Sequence, residues 1–228
     1  MSDITIACLD MAGTTVRDDG TVLTAFRAAI EQAGLASGTP RYDEALGIVA
    51  ASMGQSKIEV FRRVLGDEGA AQQANSTFEE SYALAVMAGQ VAAMPGAEEA
   101  MAALREAGIL VCLNTGFSPV TRDAIIGELG WHERIDLALS PADAGRGRPW
   151  PDLPLTALMR LGGEAVTSLA VVGDTISDVQ TGMRAGAGLV AGVLTGATTR
   201  EEFDRADTPL ILASVADLPA HLGVPTQP

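Results

Sequence analysis

In the stretch ITIACLDMAGTTV, residues 4–16, an apolar run gives way abruptly to a polar turn. Its apolar run of Ile4, Ile6, Ala7, Cys8 and Leu9 has the composition of a buried strand, and it stops at Asp10 with Gly13, Thr14 and Thr15 just beyond. In open parallel sheets ligands bind outside the carboxyl ends of the strands, so the pattern stands Asp10 in a crevice and lets Gly13 turn the backbone closely around a ligand. Taken alone, an aspartate here would serve equally as a helix cap or a turn residue.

The rest of the chain supplies the context. With 228 residues, 47% of them hydrophobic, it is long enough for a well-buried core in one domain or two. A net charge of −14 without any basic run argues against nucleic acid and anionic membranes as partners, and an anionic small-molecule substrate would need local neutralisation. The first residues lack a basic segment with an apolar signal core, and no uncharged apolar stretch approaches the roughly 20 residues of a membrane span, so a cytoplasmic location is expected. Cys8 and Cys112 lie in strand-like runs without metal-site spacing, which predicts buried reduced thiols.

Downstream of Val16, the residues Val22, Leu23, Phe26, Ala29 and Ile30 recur at helical spacing. Alanine-rich, proline-free sequence over 43–65 and 67–90 predicts further helices, broken within 47–54 and at Gly66. Beyond Met94-Pro95-Gly96 the pattern alternates, with helices expected at 97–107, 119–129, 153–161 and 177–185. Strands are expected at 109–113, 135–139, 168–172, 189–194 and 210–213. That alternation implies an α/β fold, a parallel sheet covered by helices on both faces, interrupted early by a helical insertion.

The expected strands end in polar residues of a consistent kind. Asn114, Thr115 and Gly116 follow one; Gly173, Asp174, Thr175 and then Asp178 follow another. With Asp10 they gather carboxylates that repel unless a cation joins them, and a hard cation with oxygen ligands suits Mg²⁺. The loop Gly145-Arg146-Gly147-Arg148-Pro149 offers two guanidinium groups that can reach the same crevice and grip phosphoryl oxygens, or else form a solvated loop.

DMAGTT at 10–15, NTG at 114–116, GRP at 147–149 and GDTISD at 173–178, in that order, resemble the four motifs of the haloacid dehalogenase superfamily. The resemblance implies a Rossmann-like core over 1–16 and 91–228 with a helical cap over 17–90. It implies Asp10 as a phosphoryl-accepting nucleophile, and Mg²⁺ held by Asp10, the Ala12 carbonyl and Asp174 with support from Asp178. Thr115 and Arg148 would bind phosphoryl oxygens beside Asn114 and Gly116. An aspartyl nucleophile splits one hard displacement into two, and cationic groups neutralise charge on the equatorial oxygens.

Ala12 narrows the chemistry. Phosphatases of the superfamily usually carry a second aspartate there as general acid, a contribution on the order of 10²- to 10⁴-fold. Alanine followed by GTT resembles the phosphonatase (phosphonoacetaldehyde hydrolase) branch, which cleaves a carbon–phosphorus bond through a Schiff base on a cap lysine. The segment Met53-Gly54-Gln55-Ser56-Lys57-Ile58 resembles the family's lysine-bearing segment, which puts that role on Lys57 and substrate contact on Met53. Lys57, Val60, Phe61 and Val64 fall on one helical stripe, so the ammonium heads an apolar face, where desolvation makes an amine usable; snorkelling at a helix end reads the same pattern differently.

Val60, Phe117 and Asp152 depart from the branch, which has a histidine, a tyrosine and an aromatic at those places. The expected activity is therefore a phosphonatase-like hydrolysis of phosphonoacetaldehyde or a related carbonyl phosphonate. The alternatives are a phosphomonoesterase without Schiff-base chemistry and a non-catalytic binding relative. The apolar cap surface leaves room for a homodimer through the cap.

Overall fold

The computed structural model describes residues 4–17 and 19–225. In chain order, β1 (Ile6–Asp10) leads through a tight turn to the short β2 (Val16–Arg17). Four helices follow, α1 (Thr21–Gln32), α2 (Pro40–Ala51), α3 (Lys57–Leu65) and α4 (Glu68–Met87), before the chain returns along β3 (Ala92–Ala93). Next come α5 (Ala97–Glu106), β4 (Leu110–Asn114), α6 (Pro119–Glu128), β5 (Leu137–Leu139), α7 (Pro141–Ala144) and α8 (Asp152–Arg160). The chain closes with β6 (Leu169–Gly173), α9 (Ile176–Ala185), β7 (Leu189–Val193), α10 (Arg200–Arg205), β8 (Leu210–Leu212) and α11 (Leu218–His221).

Six strands form one sheet in the order β5-β4-β1-β6-β7-β8, every adjacent pair parallel. This is a Rossmann-like α/β core with an inserted helical unit. β1 lies inside the sheet, and burial on both faces explains why its sequence is apolar up to Asp10. Ile6 and Cys8 face one side, where they share a cluster with Cys112, Val171 and, from α8, Leu153 and Ala157. Ala7 and Leu9 face the other, with Val111, Leu113, Val172 and the α5 residues Met101 and Leu104. Both cysteines are buried and free, as their sequence context predicts, and burial pushes the Cys112 thiol up.

The insertion enters and leaves the core through a two-stranded antiparallel ribbon, Val16 opposite Ala93 and Arg17 opposite Ala92. Its interior is aromatic: the Phe26 ring lies 4.7 Å from Phe78 and 5.1 Å from Phe61. Tyr82 of α4 meets Phe117, from the loop after β4, at 4.5 Å, so a single apolar cluster runs from the sheet into the insertion. Among the described residues, no helix is long and apolar enough to cross a membrane.

Three expectations shift. α2 starts at Pro40, where Thr39 accepts a bond from the Tyr42 amide at 3.3 Å, and it runs through Gly47; the break is confined to 52–56, where Gly54 takes φ +81. The strand expected over 135–139 is only Leu137–Leu139, because the Asp136 carboxylate turns aside to accept from the Val111 amide at 2.8 Å. The unanticipated α10 begins at a capping box in which the Thr199 amide donates to Glu202 at 2.8 Å and the Glu202 amide to the Thr199 hydroxyl at 3.3 Å.

Phe78, fully buried among Phe26, Phe61 and Phe117, tests the continuity of this core. Phe78→Ala is expected to lower unfolding free energy by about 3–5 kcal/mol, read as a fall in the urea midpoint.

Candidate active site

The site grows from the turn after β1. The Met11 carbonyl accepts from the amides of Thr14, Thr15 and Val16 at 3.1, 2.9 and 2.7 Å, and Gly13 takes φ +85 to make this possible. The Thr15 hydroxyl donates to the Asp10 carbonyl at 2.8 Å, fixing the strand end that carries the carboxylate. Asp10 stands opposite Asn114 in the β1–β4 register, while Asp174 follows directly on β6 at the other side of β1. Three adjacent strand ends thus converge.

Asp174 is enclosed by backbone. Its carboxylate accepts from the Ala197 amide at 2.7 Å, a Cβ on Gly13 would stand 2.5 Å from its oxygen, and one on Gly196 would come closer still. Asp178 sits in the first turn of α9, where one oxygen accepts from the Thr175 amide at 3.1 Å and from the Thr175 hydroxyl. The carboxylates of Asp10, Asp174 and Asp178 are all buried, with candidate ligand atoms within 4.8 Å of one another.

Arg148 meets this acidic group. Its Nη2 donates to Asp10 at 2.5 Å and to the Asn114 carbonyl at 2.8 Å, its Nε to Asp178 at 2.7 Å, and its Nη1 to the Gly54 carbonyl at 2.9 Å. Burial works against its charge, but Asp10 and Asp178 outweigh burial and hold it protonated. Asp174, penalised first by burial and then by Asp10 and Asp178, is pushed well above the usual carboxylate range. Burial, opposed by Arg148 and reinforced by Asp10, pushes Asp178 up to about 6.

Three buried carboxylates against one guanidinium leave excess negative charge in a place walled by glycines and backbone. Oxygen donors in that excess fit a hard divalent cation. Asp10 and Asp174 are the carboxylates best placed to hold one, with Ala12 in the same cavity wall; both oxygens of Asp178 are taken up by Arg148 and Thr175.

A cavity of about 390 Å³ opens over this group, between sheet and insertion. Asp10, Ala12, Met53, Lys57, Thr115, Gly116, Arg148 and Asp174 all line it. Asn114 is not in its lining: its side-chain oxygen faces the Cys112 sulfur at 3.3 Å, and its contribution to the site is the carbonyl that grips Arg148. Asp178 likewise stays behind Arg148. Arg146, expected to reach the crevice, turns away; it forks onto Asp152 with two 2.9 Å bonds and stacks on Trp150 at 4.4 Å. Asp152, where the sequence departs from the phosphonatase pattern, is what draws it off, and that guanidinium holds the Asp152 carboxyl below its usual range.

Lys57 opens α3 and is 7% exposed. Its amide donates to the Gly116 carbonyl at 3.4 Å, and the loop before it is seated on the core by backbone contact. Met53 offers its carbonyl to the Ser177 hydroxyl at 3.2 Å. A Cβ on Gly54 would strike the Thr175 hydroxyl, and one on Gly116 would stand 2.5 Å from the Gln55 carbonyl. Sequence reasoning missed the loop after β7, where Thr195 donates to the Gly13 carbonyl at 2.7 Å and Gly196 and Ala197 hold Asp174; the signal was a strand followed by Leu-Thr-Gly. It also missed Glu79 of α4, which accepts from the Ser118 amide at 3.2 Å and hydroxyl at 2.6 Å and from the Thr121 hydroxyl.

A family model of haloacid dehalogenase-like hydrolases matches residues 4–186, and the chain belongs to that hydrolase family. It is 32% identical over 154 residues to a phosphonoacetaldehyde hydrolase of Bacillus cereus, a match covering 65% of this chain and 57% of that protein. The chain thus spans little more than half the length of that curated relative. Among solved structures it resembles a hydrolase from Pseudomonas syringae (TM-score 0.82, 22% identity, 96% and 98% of the two chains). It also resembles a phosphonoacetaldehyde hydrolase-like protein from Oleispira antarctica (0.79, 23%, 97% and 92%). A predicted phosphoglycolate phosphatase from Haemophilus somnus shares the fold too (0.80, 18%, 97% and 99%).

Removing Arg148 would strand Asp10 and Asp178 as buried, uncompensated carboxylates. Arg148→Ala is expected to cost about 3–5 kcal/mol of stability in urea denaturation at neutral pH.

Proposed function

We propose that this hydrolase cleaves the carbon–phosphorus bond of phosphonoacetaldehyde or a related carbonyl phosphonate. The supporting observation is that Lys57, a buried amine, lines the same cavity as Asp10 and Arg148, while Ala12 occupies the place of a general acid. Phosphate esters need a protonated leaving oxygen; a carbon leaving group needs an electron sink, which a lysine imine supplies. The similarity to the Bacillus cereus enzyme points the same way.

In this reading residues 17–90 form a cap over a core of 1–16 and 91–228, and Asp10 attacks phosphorus. Arg148, already on the Asp10 carboxylate, neutralises the phosphoryl oxygens, with the Thr115 hydroxyl and the Gly116 backbone beside it and Met53 closing the wall. Asn114 acts by holding Arg148. The substrate aldehyde condenses with the Lys57 amine, so that the electron pair of the broken bond has somewhere to go. Asp10, Asp174 and the Ala12 carbonyl would hold Mg²⁺, supported by Asp178, and the ion would offset charge between the phosphoryl group and the carboxylates.

Two measurements test the proposal. Borohydride with phosphonoacetaldehyde is expected to leave a reduced adduct that peptide mass mapping places on Lys57; no adduct, together with turnover of ordinary phosphate esters, would overturn the carbon–phosphorus reading in favour of a phosphomonoesterase. Asp10→Asn is expected to abolish phosphate release with Mg²⁺ present. Undiminished release would remove Asp10 as nucleophile.

A further inference from the structure

Three aromatic rings close around the Lys57 amine. Its Nζ lies 4.9 Å from the ring centroid of Phe117, 5.7 Å from Phe26 and 5.9 Å from Phe78. The rings come from separate elements: Phe26 from α1, Phe78 from α4, and Phe117 from the loop after β4 in the core. Tyr82 packs behind Phe117 at 4.5 Å and fixes its plane, and Phe26 and Phe78 brace each other at 4.7 Å. Val60, on the same face of α3 as Lys57, is buried and contributes no polar atom.

An aromatic face presents negative charge to a cation, and the attraction grows when water is excluded. A ring cannot donate or accept a proton. This surrounding therefore favours whichever form of the Lys57 nitrogen carries positive charge, without hydrogen-bonding to it.

We infer that Phe117, together with Phe26 and Phe78, is a positioning element that holds the Lys57 nitrogen in its cationic imine form during carbon–phosphorus cleavage. The inference rests on the imine reading above. In that sequence the Lys57 amine condenses with the aldehyde and, with one proton taken up from solvent, releases one water and leaves a protonated C=N bond. Phosphorus passes from carbon to an Asp10 oxygen, and the electron pair of the broken bond forms C=C as the C=N pair moves to nitrogen, giving a neutral enamine. A proton from solvent added at carbon restores the cationic imine, one water releases acetaldehyde and the lysine amine and returns a proton to solvent, and a second water hydrolyses the aspartyl phosphate. The neutral imine is a poor electron sink, so the rings act by keeping the nitrogen charged before the bond breaks. Phe117 has no hydroxyl and contributes ring electrostatics alone.

The test compares borohydride trapping of phosphonoacetaldehyde on Lys57 at saturating aldehyde in four proteins with matched urea midpoints: the wild type, Phe117→Leu, Phe117→Tyr, and protein carrying pentafluorophenylalanine at 117. Fluorination keeps the ring's shape and reverses its charge distribution, so a merely structural role would leave trapping unchanged. Trapped adduct is expected to fall roughly 5- to 30-fold in Phe117→Leu and in the fluorinated protein, the range one desolvated cation–π contact supports, and to stay near the wild-type level in Phe117→Tyr. Adduct at wild-type level in the fluorinated protein would overturn the aromatic role alone. Absence of adduct in the wild type would overturn the imine reading itself, and the role of the rings with it.

Discussion

A single buried guanidinium ties this molecule together. Arg148 bonds the carboxylate at the end of β1, the carbonyl at the end of β4, the carboxylate in the first turn of α9 and the Gly54 carbonyl of the helical insertion. Burying a charge costs several kcal/mol unless its partners are fully engaged, and here every nitrogen of the side chain has one. The contacts that hold the carboxylate cluster together are therefore the ones that hold core and insertion in register.

The seam between the two parts is closed by contact between backbones, and that requires glycine on both sides. Gly54 lies against Thr175 and Gly116 against Gln55, approaches a Cβ would block. Glu79 adds a polar fastening by capping α6 through Ser118, and the Phe78, Tyr82 and Phe117 rings add an apolar one. Lys57 sits where these fastenings meet. Its buried position follows from how closely the loop of 52–56 can approach the sheet, and only secondarily from its own helix.

Much of the core was legible because its signals are local. A strand buried on both faces must be apolar along its whole length, and a ligand-facing strand end must turn polar abruptly; residues 4–16, 109–116 and 168–174 all show this. The insertion's helices followed from periodicity, but the extent of α2 did not, since a glycine at 47 costs a helix about 1 kcal/mol and the packing of Tyr42, Ala45 and Val49 readily offsets it. The paired guanidiniums of 146 and 148 looked equivalent in sequence. They separate because Asp152 captures the first while two buried carboxylates capture the second.

The alternating order of strands and helices and the polar residues that close the central strands could be read from the sequence, because these depend on residue type and spacing along the chain. Only the tertiary structure decided that Asn114 works through its carbonyl, that Asp178 backs Arg148, that Glu79 reaches the core and that three phenylalanines surround Lys57. Each of these joins residues from elements far apart in the chain. Such contacts are set by how packed surfaces fit, which no local pattern encodes.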